Sequence, residues 1–148
     1  MAREATAVSS GIEGSNSITG TIVFLGRLLF TLIFIMSGPN LFSKQMIGYA
    51  AAQGVPLASL AVPISGVLAF LGGLSILLGY RAKIGTWLIV LFLVPVTLTM
   101  HKFWGVADPM MAQMQMIMFL KNVSMLGGAL IISQLGPGPF SLDARHAR

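Results

Sequence analysis

Four long runs of apolar residues follow one another along the chain. They lie at about residues 18–36, 57–79, 84–100 and 114–135, and roughly 20 helical residues cover a hydrocarbon core of about 30 Å. Because lipid offers no hydrogen bonds to an open backbone, runs of this length predict helices. The pattern therefore predicts an all-α fold, a bundle of four transmembrane helices that occupies residues 18–136.

The segments outside these runs differ in character. Residues 1–17 are small and polar, and they predict a flexible cytoplasmic tail. Between the first two runs, apolar and polar side chains mix from Leu41 to Gln53, which predicts a short helix on the membrane surface. Glycine and proline fill residues 136–139 and end the fourth run, so residues 137–148 are expected to form a second cytoplasmic tail.

The second run carries small residues at spacings of three and four. Without a hydrophobic drive between helices in lipid, such a stripe supports association by letting a neighbouring helix approach closely. We therefore expect this face to pack against protein. Its members are Ser65, Ala69, Gly72, Ser75 and Gly79.

Composition and charge support a membrane protein. Charged residues make up 9% of the chain, whereas an ordinary soluble domain carries about 25%. The net charge is +5, but the basic residues form no stripe with interleaved aromatic residues, so nucleic acid is not an expected partner. The loop cations favour cytoplasmic termini instead, because Arg3, Arg81, Lys83, Arg145 and Arg148 fall on one side and Lys44 and Lys102 on the other. The chain has no cysteine, which excludes disulfides and thiolate chemistry within it.

Two cations lie inside the apolar runs, Arg27 in the first and Lys121 in the fourth. A charge at the centre of a transmembrane helix costs about 2.5–3.5 kcal/mol on insertion scales, and all four acidic residues of the chain lie outside the runs. Backbone carbonyls, a lipid headgroup, an acid of a partner subunit or a bound ligand could each compensate these cations. We expect both to lie near the midplane, to face the bundle interior and to border a polar pocket, with Asn122 at its edge.

Two further features near the fourth run are candidates for chemistry. His101 closes the third run, where it could relay protons or serve as an interfacial residue. Met110, Met114 and Met118 repeat at helical spacing, and their thioethers could hold Cu(I) or fill gaps between side chains. Copper handling is therefore a remote alternative.

Short motifs recur in a fixed order from about residue 20 to residue 143. They are Gly26-Arg27, Ser37-Gly38, Lys44, Tyr49, Gly54-Val55-Pro56, Gly79-Tyr80-Arg81, His101, Lys121-Asn122, Gly127-Gly128, Gly136-Pro137-Gly138 and Ser141-Leu142-Asp143. In this order they resemble the DoxX family of small bacterial membrane proteins. The resemblance implies a four-helix bundle in the bacterial inner membrane, associated with membrane oxidoreductases and, in DoxD-like relatives, with quinone-linked thiosulfate oxidation.

Two functions follow as hypotheses. In the first, the protein belongs to an oxidoreductase system and binds a quinone or similar amphiphile through Arg27, His101, Lys121 and Asn122, with a quinone as its possible cofactor. If it is an enzyme, it is then a quinone-linked membrane oxidoreductase subunit. In the second, it is a non-catalytic accessory or structural subunit whose cations contact other membrane protein subunits or lipids.

Overall fold

The computed structural model describes the backbone of residues 2–146 and the side chains of residues 17–146. That part of the chain is helical and contains no strand. The helices are α1 (Ala2–Ser37), α2 (Lys44–Ala52), α3 (Ala58–Leu78), α4 (Ala82–Met100), α5 (Pro109–Leu135) and α6 (Leu142–His146), with a 3-10 helix at Pro39–Phe42 after α1.

Four segments are long and apolar enough to cross a membrane, which confirms the predicted fold class. They are Ser17–Phe42, Ala58–Leu78, Ala82–Met100 and Pro109–Leu135. The short helix expected between the first two spans is present as α2, and its Ala50 packs with Ala58 and Val62 at the start of α3. Throughout, "loop end" denotes the end of the bundle that carries α2, and "terminal end" the opposite end, which carries the α3–α4 turn and α6.

The helix bounds differ from the predicted ones at two places. Helix α1 begins at Ala2, within the segment expected as a tail. Helix α5 begins at Pro109 rather than near residue 114, because the Asp108 side chain accepts a hydrogen bond from the Met111 amide at 2.8 Å and proline suits the first helical position. The apolar run marks where the helix becomes hydrophobic, whereas the cap determines where it starts.

The core lies where α3 packs between α1 and α4, with Ala129 of α5 closing it. Three members of the predicted small-residue stripe, Ala69, Gly72 and Ser75, lie in this contact, which confirms that this face of α3 packs against protein. A Cβ atom added at Gly72 would lie 2.9 Å from the Gly85 carbonyl oxygen and 2.9 Å from Ile89 Cδ1. Helices α3 and α4 can therefore approach this closely only because residue 72 lacks a side chain.

The helices associate mainly with their neighbours in chain order. Helix α3 packs extensively on α1 and on α4, and α4 on α5, while α1 and α5 make far fewer contacts with each other. Gly128 of α5 does reach the Phe30 ring, which lies 3.1 Å from the position that a Cβ at Gly128 would occupy. Toward the loop end, the exposed side of α5 beyond this contact includes Lys121 and Ser124, and we call it the open flank.

Residues after α5 fold back along the bundle instead of leaving it as a tail. Gly138 packs against Val23, and the Phe140 ring lies 3.0 Å from where a Cβ at Gly20 would be. The Asp143 amide then donates a hydrogen bond to the Gly79 carbonyl oxygen at 2.7 Å. Residues 138–143, which we call the C-terminal clamp, therefore join α1 to the end of α3.

Candidate functional site

Arg27 is a buried cation whose partner is the chain's own C-terminal clamp. Its side chain is 3% exposed, and Nη2 donates a hydrogen bond to the Phe140 carbonyl oxygen. The guanidinium carbon also lies 5.7 Å from the centre of the Phe24 ring, a distance suited to a cation–π contact. The expectation that Arg27 faces the interior is confirmed, and a backbone carbonyl compensates part of its charge.

Asp143 supplies the acid that the sequence did not place near Arg27. Its carboxylate accepts hydrogen bonds from the amides of Arg81 at 2.8 Å and Ala82 at 3.0 Å, so it caps the start of α4. It also attracts the Arg27 guanidinium electrostatically. The sequence pattern places Asp143 in the C-terminal tail and predicts no acid of this chain near Arg27; the latter prediction is wrong, because the clamp returns Asp143 to the bundle.

Two donors of Arg27 remain without an acceptor. Nε and Nη1 are buried and have no hydrogen-bond partner among the described residues, while Nη1 lies 2.3 Å from where a Cβ at Gly79 would be. Gly79 ends α3. Arg27 therefore lies level with the α3–α4 turn, at the terminal end of the bundle rather than near the midplane as predicted.

Lys121 lies on the open flank rather than in the interior. Its side chain is exposed, and its ammonium group donates to the Met118 sulfur at 3.2 Å. Gly128 of α5 lies level with Phe30 of α1. Arg27 is three residues from Phe30 toward the terminal end, and Lys121 is seven residues from Gly128 toward the loop end. The two cations are therefore separated by roughly 15 Å along the helix axes. The prediction that Lys121 faces the interior and shares a pocket with Arg27 is wrong.

The other two candidate residues are Asn122, which follows Lys121 but is buried, and His101. Asn122 is 5% exposed and belongs to the buried side of α5, together with Ala129 and Ser133. His101 Nδ1 lies 2.9 Å from Gln115 Oε1 at the loop end. The structure thus places the four predicted site residues at separate positions, and their assignment to ligand binding stays a prediction.

The grooves on the described surface include one at the terminal end and one beside Gly38. The larger, about 990 Å³, lies at the terminal end between α1, the end of α3 and the C-terminal clamp, and Phe24, Leu77 and Phe140 are among its lining residues. The smaller, about 340 Å³ and almost wholly apolar, lies where Gly38 meets Gly66. Neither groove is lined by Arg27, His101, Lys121 or Asn122.

The described residues contain no cluster of His, Cys, Asp or Glu side chains that could hold a metal ion. No group of three or more histidine, cysteine, aspartate or glutamate side chains lies together in residues 17–146. The methionines of the proposed copper ladder are exposed at Met110 and Met114. The thioether of Met118 faces the Lys121 ammonium, and a neighbouring cation disfavours binding of Cu(I) by Coulomb repulsion.

One sequence signal could have revealed the C-terminal clamp. The Ser141 hydroxyl accepts a hydrogen bond from the Ala144 amide at 3.2 Å, as a serine does when it caps a helix. Serine followed by an acidic residue two positions later is typical of a helix start. Residues 137–148 are predicted as a tail only because the glycines and prolines at 136–139 indicate the end of a helix.

These features define a polytopic α-helical membrane protein with four spans and a C-terminal segment packed on its terminal end. The model of the SURF4 family matches residues 10–148. The chain therefore belongs to the SURF4 family.

Relatives of this chain are found in a bacterium and in a yeast. The inner membrane protein YphA of Escherichia coli is 30% identical over 129 residues, which are 84% of this chain and 89% of YphA. The inner membrane protein YqjF of the same organism is 28% identical over 127 residues, 82% of this chain and 88% of YqjF. The ER-derived vesicles protein ERV29 of Saccharomyces cerevisiae is 25% identical over 126 residues, which are 85% of this chain but only 34% of ERV29. No solved structure matches.

The family assignment corrects two expectations. The resemblance to DoxX is wrong, since the family model that matches nearly the whole chain is SURF4. The oxidoreductase function rested on that resemblance and is also wrong, because neither this family nor these relatives point to an oxidoreductase or to quinone binding. The four-helix fold is unaffected by this correction, because the four apolar spans predict it without reference to any family.

Proposed function

We propose that this protein is a bacterial inner-membrane protein, with both termini in the cytoplasm, that binds another membrane protein laterally within the bilayer. The location is supported by the two Escherichia coli relatives, which are named inner membrane proteins. The orientation is supported by Arg81 and Arg145, which lie at the terminal end with the α3–α4 turn and α6. Short segments rich in lysine and arginine stay in the cytoplasm.

The observation that carries the binding function is the open flank. Helix α5 has 27 residues, of which only Asn122, Ala129 and Ser133 are buried. The side of α5 that continues from Gly128 toward the loop end is not covered by α1. A transmembrane helix with so little of its surface packed can accept a further helix without rearrangement of the bundle.

Small residues on this side of α5 suit helix association. Ser124 is exposed, and a Cβ added at Gly127 would meet nothing within 4 Å. Because helices in lipid associate through close packing of small residues and through polar contacts, a backbone can approach α5 here. Among the exposed large hydrophobic residues of the bundle, leucine and isoleucine are the commonest.

The orientation can be tested with reporter fusions. Fusions after Ala82 and after Arg148 should report a cytoplasmic position, and a fusion at Val106 an external one. The inverse pattern would overturn the orientation but would leave the open flank unaffected.

The binding function can be tested by cross-linking, since the chain contains no cysteine. A benzophenone attached to Ser124→Cys in native membranes should yield adducts whose mass spectra map to a membrane-spanning segment of another protein. Leu91→Cys on α4 is the matched control, because Leu91 is 58% exposed and lies outside the flank. Equal adducts from both positions, or adducts with lipid alone, would contradict lateral binding at the flank.

A further inference from the structure

We propose that the groove at the terminal end of the bundle binds an anionic phospholipid, with the lipid phosphate at Arg145 and an acyl chain along Phe24 and Leu28. This inference goes beyond lateral binding at the open flank and does not depend on it. It is carried by the position of the groove at the membrane boundary, by its apolar lining, and by the excess of positive charge around it.

The groove lies at the ends of two membrane spans. Its lining includes Ser17, the first residue of the first span, and Leu78, the last residue of the second span. The polar α3–α4 turn and α6 lie at the same end of the bundle. Because acyl chains meet headgroups where apolar spans end, the groove lies at the level at which both parts of a phospholipid are available.

The lining of the groove suits an acyl chain. Most of its residues are apolar, and Phe24, Leu78 and Phe140 among them are exposed, so the groove is open to the surroundings of the bundle. Along α1 it extends from Ser17 to Leu28, or about 16 Å, which is close to half the thickness of a hydrocarbon core. Its volume of about 990 Å³ is typical of a large ligand site.

The charge in the groove is positive. Among the described residues that line it, Arg145 is the only charged one, and its side chain is exposed. Asp143 is close to Arg145 in sequence, but its carboxylate accepts hydrogen bonds from two amides at the start of α4 and does not line the groove. A guanidinium group binds phosphate oxygens with two parallel hydrogen bonds.

Buried Arg27 adds to this field from behind the lining. Its guanidinium group contacts the Phe24 ring and donates to the Phe140 carbonyl oxygen, and both of these residues line the groove. Two of its donors have no partner among the described residues. The described side chains at the terminal end comprise four cations and one acid, namely Arg27, Arg81, Lys83, Arg145 and Asp143.

This balance of charge favours an anionic lipid over a zwitterionic one. Coulomb attraction is strong where the dielectric constant is low, and basic pockets between transmembrane helices bind anionic headgroups. Phosphatidylglycerol presents a phosphate without a neighbouring cation. Phosphatidylethanolamine and phosphatidylcholine carry a cationic nitrogen that the same arginine and lysine side chains repel.

Photoreactive lipids provide the probe. The purified full-length protein is reconstituted in phosphatidylethanolamine vesicles with a trace of phosphatidylglycerol that carries a diazirine in one acyl chain, and adducts are mapped by mass spectrometry. Labelling at residues 24–28 and 77–78 should exceed that by a phosphatidylcholine tracer with the same chain about fivefold. At Leu91 of α4, which is exposed but does not line the groove, the two tracers should label equally.

Two pairs of variants separate the groove from the rest of the surface. Arg145→Gln should abolish the preference for phosphatidylglycerol, whereas Lys83→Gln, which removes an exposed cation from the same end but outside the groove, should keep it. Leu28→Trp should fill the groove and lower labelling at residues 77–78 about fivefold. Leu29→Trp is its control, because Leu29 is 72% exposed and does not line the groove.

Each other outcome would overturn the lipid site. Equal labelling of residues 24–28 by the two tracers would mean that the groove takes up lipid without regard to charge. Equal losses in Arg145→Gln and Lys83→Gln would mean that the whole surface attracts anionic lipid and that the groove is not a site. Displacement of the phosphatidylglycerol adduct by millimolar inorganic phosphate would assign Arg145 to a free anion instead of a lipid.

Discussion

Replacement of Gly79 by alanine should detach the C-terminal clamp. The new Cβ would lie 2.3 Å from Arg27 Nη1 and 2.3 Å from Ser141 Cβ, whereas carbon atoms in contact are about 3.5–4.0 Å apart. Residue 79 also has φ +63, a conformation that costs a residue with a side chain about 1–2 kcal/mol. Since both the side chain of Arg27 and the clamp must move, the substitution affects all the contacts that hold residues 138–143.

Gly54→Ala is the matched control for the cost of the backbone conformation. Gly54 follows α2 with φ +82, and its amide and that of Val55 donate to the Ala51 and Ala50 carbonyl oxygens as at a left-handed helix C-terminus. A Cβ there would meet nothing within 4 Å, so this variant should lose about 1–2 kcal/mol. Gly79→Ala adds the cost of overpacking, about 1–3 kcal/mol, and should lose about 3–4 kcal/mol in total. The difference of about 2 kcal/mol corresponds to a Tm lower by about 4–8 °C for a chain of this size.

Hydrogen exchange locates the effect. The Asp143 amide, which donates to the Gly79 carbonyl oxygen at 2.7 Å, should exchange about 30-fold faster in Gly79→Ala than in Gly54→Ala, as expected for about 2 kcal/mol of easier opening. Amides in the middle of α3 should exchange as in wild type. Equal Tm values and equal exchange at Asp143 in the two variants would refute the role assigned to Gly79.

Two further pairs of substitutions test the fold and the clamp. Gly72→Leu should destabilise or unfold the bundle, because a Cβ at this position already lies 2.9 Å from the Gly85 carbonyl oxygen. Gly127→Leu is the control and should retain wild-type thermal stability in detergent. Similar thermal stability of the two variants would mean that the α3–α4 contact is wrongly assigned. In chemical unfolding, Asp143→Ala should lower the free energy of unfolding by about 2 kcal/mol and Asp143→Asn by about 1 kcal/mol. Asparagine keeps one acceptor for the cap of α4 but loses the charge near Arg27. Equal losses in the two variants would show that the charge of Asp143 contributes nothing to stability.

The sequence predicts the spans well because their signal is local. A run of apolar residues identifies a membrane helix without reference to any other part of the chain. The contact face of α3 was also predictable, since small residues at helical spacing lie together on one side of a helix wherever its neighbours are. Gly72, which touches α4, belonged to that stripe.

The orientation of the cations was not predictable in the same way. A helix that is apolar on all sides has no polar face from which its rotation can be inferred. The expectation that a cation without an acidic residue at its depth faces the interior applied equally to Arg27 and Lys121. The structure separates them because Arg27 meets a segment 113 residues away in the chain, a contact that no local pattern encodes. The family was wrongly inferred for a related reason, since short motifs of glycines and interfacial residues suit many small membrane bundles.

The clamp also has a consequence for how the chain is made. Arg27 enters the membrane with the first span, but Phe140, whose carbonyl oxygen accepts its hydrogen bond, follows 113 residues later. At about 5–20 residues per second, a ribosome needs on the order of 10 s to synthesise that stretch. During this interval Arg27 must be compensated by water, headgroups or the insertion machinery, and the nascent first span depends on that support until residues 138–143 emerge and dock.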